Sequence, residues 1–206
     1  MKIKICGLSR PEDIECVNKL KPDFIGFVFY AQSKRAVTMA QAAELKNKLT
    51  PQIKAVGVFV NEKIEFILKL AQDGIIDAVQ LHGDENAAYC QRLKEQLALP
   101  VIKAVRVKDK NSLLDLAKYP VDYFLLDTYE QGLYGGTGRR WRMQPEWEKQ
   151  IPEPYFLAGG LNADNVTEAI AKNNAFAVDV SGGVEINGIK NSEKIAAFIA
   201  QVRGEK

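Results

Sequence analysis

Residues 155–185 read YFLAGGLNADNVTEAIAKNNAFAVDVSGGVE. Two short apolar runs, Tyr155–Ala158 and Phe176–Val180, each lead into a glycine pair, Gly159-Gly160 and Gly182-Gly183, with Ser181 ahead of the second. A segment of helical character separates them. Strands joined in this way are parallel neighbours whose C-terminal ends open on the same side. Glycines there let backbone N–H groups approach an anion, and a helix start just beyond adds partial positive charge. In an eight-stranded α/β barrel, the loops after strands seven and eight form a common phosphate site. The segment reads as a cradle for a phosphorylated metabolite.

Working outward, the same alternation fills the chain. Strand candidates are 2–6, 24–29, 55–60, 78–81, 101–107, 123–127, 155–158 and 177–180, eight in all. Helix candidates lie between and after them, at 11–20, 39–49, 62–72, 85–97, 111–117, 144–148, 162–172 and 192–202. Pro11 suits a first helical position, Thr38 is placed to cap the second helix, and Asn61 the third. Ile64, Ile67, Leu68 and Ala71 give that third helix an apolar stripe to lay on a sheet. Eight strand–helix units in 206 residues predict a single (βα)8 barrel domain over 1–206. An open doubly wound sheet is the alternative, but its dinucleotide-binding form lacks support because CGLSR, not GxGxxG, follows the first strand. Lys4 shares strand parity with Cys6, so both point to one side. Lys4 then either lies at the open bottom of the barrel or pairs with an acidic neighbour.

A formal net charge of +2 and the lack of a basic, aromatic-interleaved cluster argue against nucleic acid or a membrane surface as partner. MKIKICG contains no long apolar run, so neither signal peptide nor membrane span is expected. Cys6, Cys16 and Cys90 form no CxxC pair, and a lone histidine cannot furnish an ordinary zinc set. Reduced thiols in a cytoplasmic enzyme are the simplest reading. A small chain that closes its own sheet favours a monomer, with a homodimer as the alternative.

Barrel enzymes carry reactive groups at the C-terminal strand ends. That rule selects Cys6 after strand one, Arg35 after strand two, and Gln80, His82 and Asp84 around the end of strand four. It adds Arg106 near the end of strand five and Asp127 at the end of strand six. Cys6 is either an activated thiol near a helix start or a small buried hydrophobe. Asp127 closes the apolar run FLLD and is either a desolvated general acid or the cap of its own loop. Arg35 offers a two-pronged donor for a carboxylate, or is a solvated surface arginine. His82 is either a general base or part of an active-site wall. Cys16 and Cys90 read as packing residues, and Trp141 and Trp147 as anchors of the segment before strand seven. Asp84-Glu85 reads as the acidic start of helix four. Residues 128–141, TYEQGLYGGTGRRW, are too glycine-rich for a helix and suggest a covering loop.

Several blocks in order, KICGLSRPED, DFIGFVF, SKRAVT, VGVFVN, VQLHGDE, LLDT, YGGTG, LAGGLNADNV and DVSGGVEINGIKN, make the chain resemble the phosphoribosylanthranilate isomerases over essentially its full length. The resemblance implies a (βα)8 barrel performing the Amadori rearrangement of N-(5-phosphoribosyl)anthranilate to 1-(2-carboxyphenylamino)-1-deoxyribulose 5-phosphate in tryptophan biosynthesis. No cofactor or metal is implied. It makes Cys6 the general base, Asp127 the general acid and Arg35 the contact for the anthranilate carboxylate. Gly159, Gly160, Ser181, Gly182 and Gly183 become the phosphate-holding residues. Gln80, His82 and Arg106 remain as candidates for the wall of the site. DVSGGVE carries Gly182 where a second serine is common in the family. A metal-dependent phosphosugar epimerase would need more histidines than one. The alternative from another class is a catalytically silent binder of phosphoribosyl ligands on the same barrel.

Overall fold

Short β-branched and aromatic runs, most of them followed by a helix, fold here into a closed ring of eight parallel strands. The computed structural model describes residues 1–127 and 145–205. The order is β1 (Lys2–Cys6), α1 (Pro11–Leu20), β2 (Phe24–Phe29), α2 (Met39–Lys48), β3 (Lys54–Phe59), α3 (Ile64–Gln72), β4 (Ala78–Leu81), α4 (Ala87–Gln96) and β5 (Val101–Arg106). Then come β6 (Tyr123–Asp127), α5 (Pro145–Glu148), β7 (Tyr155–Ala158), α6 (Val166–Ala171), β8 (Ala177–Val180), a hairpin of β9 (Glu185–Ile186) and β10 (Ile189–Lys190), and α7 (Ser192–Arg203). β1 pairs with β2 on one side and with β8 on the other, Lys4 standing opposite Asp179, and this seam closes the barrel. Among the described residues no helix is long and apolar enough to cross a membrane.

Strand parity divides the core in two. Ile3, Ile5, Ile25, Phe27, Phe59, Val79, Leu126 and Leu157 face outward and pack with the helices. Each such fully buried side chain contributes about 1.5–3 kcal/mol relative to exposure. The opposite parity, including Val56, Ala78, Ile102, Leu125, Phe156 and Ala177, fills the interior. At the N-terminal end of the strands, Phe24, Tyr123, Phe156 and Phe176 contact one another with ring centroids 5.0–6.4 Å apart. They stopper the barrel from below.

Several local expectations are corrected. Asn61 does not cap α3: its backbone is left-handed (φ 51°), and Lys63 precedes the helix without a side-chain cap. Ile67 and Leu70 are the buried residues of α3, with Ile64, Leu68 and Ala71 flanking them. Glu85 does not start α4. Asn86 caps that helix by accepting from the Tyr89 N–H, while Glu85 is buried against Lys103 of β5. Residues 111–117 form no α-helix but parts of two 3-10 turns, Lys110–Leu113 and Leu116–Lys118. Asp109 accepts from the N–H groups of Asn111 and Ser112, the local side-chain competition that opposes a regular helix. Asn162 and Asn165 likewise hold a turn, so α6 begins only at Val166. The β9–β10 hairpin was not expected. Asn187 and Gly188, both at positive φ, supply its two-residue turn.

Cys90 is fully buried and Cys16 partly buried in the packing, and Trp147 packs on the same core. Trp141 and the glycine-rich 128–141 segment lie outside the described residues.

Candidate active site

Cys6 and Asp127 are the last residues of β1 and β6. Each shares its strand's inward parity: Cys6 with Lys4, and Asp127 with Tyr123 and Leu125. On the shorter way round the ring, β7 and β8 lie between those strands, so the two groups meet the mouth from well-separated sides. The thiol is 8% exposed, and Gly26 on β2 makes room for it: a Cβ there would come within 2.7 Å of the Cys6 sulfur. Burial pushes the thiol above its ordinary value, and the Lys4 ammonium leads the influences that pull it back.

Lys4 itself is completely buried and donates to Asp179 Oδ1 at 2.8 Å. The paired alternative for Lys4 therefore holds, and its partner is the facing residue of β8. Burial alone would weaken the ammonium, but Asp179 and the Cys6 sulfur outweigh it and raise its pKa.

His82 follows β4 and reaches across β5 to Asp127, with Nε2 3.6 Å from Oδ2. Its other ring nitrogen lies 2.8 Å from the side-chain nitrogen of buried Gln80. The geometry fits a wall beside Asp127, backed by the contact with Gln80. Arg106 ends β5 as an exposed residue opposite Asp127 in the strand register. Asp84 is also exposed, and its N–H donates to Asn61 Oδ1. The loop carrying His82 is fixed from below by Lys103, whose ammonium donates to the Gly83 carbonyl and to Glu85 Oε2, each at 2.8 Å. Glu85 also accepts the Asn61 N–H at 2.8 Å and the Gly83 N–H at 3.0 Å.

Arg35 is not a solvated surface residue. Its Nε and Nη2 donate to the two carboxylate oxygens of Glu185, both at 2.6 Å, and Lys190 holds the same carboxylate. Burial would raise the Glu185 carboxyl, but the Arg35 and Lys190 hydrogen bonds bring it below its usual range. Arg35 leans over the loop after β8: its Nη2 would be 3.8 Å from a side chain begun at Gly182.

The glycine pairs behave differently from one another. Gly159 and Gly160 take φ of 93° and 65°, open to glycine without strain. Gly183 is required by contact, since a Cβ there would lie 1.9 Å from the Leu161 carbonyl oxygen. That contact binds the two loops together. The Ser181 hydroxyl donates to the Cys6 carbonyl at 3.0 Å and accepts from Lys190 at 3.3 Å, so it is turned into the framework.

Sequence reasoning missed Glu185, Lys190 and Asp179 as neighbours of the site. The Asn187-Gly188 dipeptide is the signal that would have found Lys190, because a two-residue turn there folds it back onto Glu185. Among the described residues no three or more histidine, cysteine, aspartate or glutamate side chains gather as a metal set.

This arrangement has close counterparts. The sequence profile of the N-(5'phosphoribosyl)anthranilate (PRA) isomerase family matches residues 3–201. The N-(5'-phosphoribosyl)anthranilate isomerase of Endomicrobium trichonymphae is 48% identical over 204 residues, covering 98% of each chain. The crystal structure of phosphoribosyl anthranilate isomerase from Thermotoga maritima superposes with a TM-score of 0.88 at 37% identity, covering 99% of each chain. A crystal structure of a phosphoribosyl anthranilate isomerase in complex with reduced 1-(o-carboxyphenylamino)-1-deoxyribulose 5-phosphate gives 0.85 at 36% identity over 99% of each chain. With the barrel, the motifs and the length all in agreement, the chain belongs to the N-(5'-phosphoribosyl)anthranilate isomerase family.

Proposed function

We propose that Cys6 is the general base and Asp127 the general acid of the Amadori rearrangement that this chain, as a member of its family, catalyses on N-(5'-phosphoribosyl)anthranilate. The observation that carries the assignment is the placement of both groups on inward-facing strand ends at one mouth of the barrel. Asp127 donates a proton to the furanose ring oxygen as the C1′–O4′ bond breaks, and the nitrogen lone pair forms the Schiff base. The Cys6 thiolate then removes the C2′ proton. The C–H electron pair becomes a C1′=C2′ bond and the imine nitrogen accepts the displaced pair, so no metal is needed as electron sink. Protonation at C1′ and loss of the O2′ proton give the ketone, and both groups return to their starting states.

The glycine loops at 159–160 and 181–183 hold the phosphate through backbone N–H groups, which suits them because the Ser181 hydroxyl is already engaged. The part of the Arg35 guanidinium that Glu185 leaves open takes the substrate carboxylate. His82 and Gln80 position the acid. The closed ring leaves no sheet edge to pair with another copy, which supports a monomer. Light scattering on the purified chain checks that reading, and a dimer mass would overturn it.

The deciding experiment follows fluorescence as phosphoribosylanthranilate is consumed by the parent, Cys6→Ala and Asp127→Asn. Each variant is expected to lose about 10²–10⁴-fold in kcat while binding substrate nearly normally. Parental turnover in either variant would remove that residue from its role.

A further inference from the structure

Lys4 and Asp179 form an ion pair in the barrel interior, 2.8 Å apart and opposite each other across the β1–β8 seam. Lys4 is 0% exposed and Asp179 8%. Below them the interior is apolar, with Phe156 and Ala177 among its members. Stability alone does not explain a pair in such a place, because a well-packed apolar replacement of a buried ion pair is often equally stable or more so. One strand position pair above Lys4, on the same face, is Cys6.

We propose that Lys4 is a positioning residue for proton abstraction: its ammonium, pinned by Asp179, stabilises the Cys6 thiolate as it forms to take the C2′ proton. The inference rests on Cys6 being the base. When the thiolate gains that proton its charge goes from −1 to 0 beside a fixed cation. The charge returns when the thiol passes a proton to C1′, so the Lys4 proton never leaves. The groups influencing the sulfur are Lys4 on β1, Asp179 on β8, and Lys190 on β10, with Arg35 also coupled to it from the loop after β2. Lys190 and Arg35 are both engaged by Glu185, whereas among the described residues Lys4 shares its charge with Asp179 and the sulfur. Burial is the largest influence on the thiol and opposes its ionisation; Lys4 is the next largest and favours it; Asp179 acts the other way and less strongly. The pair as a unit therefore favours the thiolate.

The test removes both charges together, in Lys4→Met/Asp179→Asn, so that no unpaired ion is left inside. Two readouts are taken: the pH profile of kcat/KM, and the pH dependence of iodoacetamide alkylation at Cys6, located by mass spectrometry. The acid limb and the alkylation midpoint are expected to move together to higher pH. At pH about 7, kcat falls about tenfold and KM stays within about twofold. A folded variant with both midpoints unchanged overturns the proposal. If circular dichroism shows the double variant unfolded, Lys4→Gln/Asp179→Asn, which keeps a neutral hydrogen-bonding pair across the seam, decides by the same two readouts, and unchanged midpoints overturn the idea. Alkylation needs no turnover, so it judges Lys4 even if Cys6→Ala shows that another group is the base.

Discussion

Glu185 grips the Nε–Nη2 edge of Arg35 with both carboxylate oxygens, at 2.6 Å each, and so sets the plane in which the guanidinium can meet a ligand. An arginine held in this way loses little further freedom when a second carboxylate arrives. Glu185→Gln keeps the shape but offers one acceptor oxygen instead of two. Steady-state kinetics are expected to show KM for phosphoribosylanthranilate up about tenfold with kcat nearly unchanged, the pattern of lost uniform binding. An unchanged KM would mean that Arg35 is oriented by something else.

The same carboxylate makes stability depend on acid. Burial would raise Glu185, but Arg35 and Lys190 hold it below the 4.5 to which it returns in the unfolded chain. A lowered carboxyl contributes stability that is complete above about 4.5 and is lost as pH falls through the folded value. Urea unfolding of the parent and of Glu185→Gln is expected to show a gap that is constant at neutral pH and closes below about pH 4.5. A gap that widens on acidification would reverse the sign.

Gly183→Ala must displace backbone, because the new methyl would lie 1.9 Å from the Leu161 carbonyl oxygen. A loss of about 1–3 kcal/mol in urea unfolding is expected, together with weaker binding of inorganic phosphate. Gly160→Ala is the control. Its Cβ meets nothing within 4 Å, so only the φ of 65° is costly, about 1–2 kcal/mol. Equal phosphate binding in Gly183→Ala and the parent would show that the contact between the two loops does not shape the anion site.

Lys103→Met strands the Glu85 carboxylate, whose side chain is 1% exposed. Breaking one half of such a pair costs about 3–5 kcal/mol. The loop bearing His82 loses its anchor at the same time, so kcat is expected to fall even where the variant remains folded. Denaturant titration and single-turnover kinetics check both effects, and a parental midpoint would show the pair to be dispensable.

The strands were legible because each is a compact apolar run with a turn signal after it, and six of the eight have the ends expected from sequence. Cys6 and Asp127 were legible by the same rule, as polar residues terminating buried runs. Glu85 was not, because an acidic residue ahead of an apolar helix looks like a helix start whether or not a lysine waits on the next strand. Only the folded register brings Lys103 to it. Lys4 offered two readings for the same reason: its partner, Asp179, is 175 positions away. Helix starts failed at Asn61 and Asn162, where the side-chain oxygen accepted from a different segment or from its own turn.

The four rings beneath the strands, Phe24, Tyr123, Phe156 and Phe176, fill the end of the interior opposite Cys6 and Asp127. A molecule held between those two strand ends therefore arrives and departs on their side of the ring. The ketose keeps both the phosphate and the carboxylate of the aminal, so it is expected to contend with fresh substrate for the same anchors.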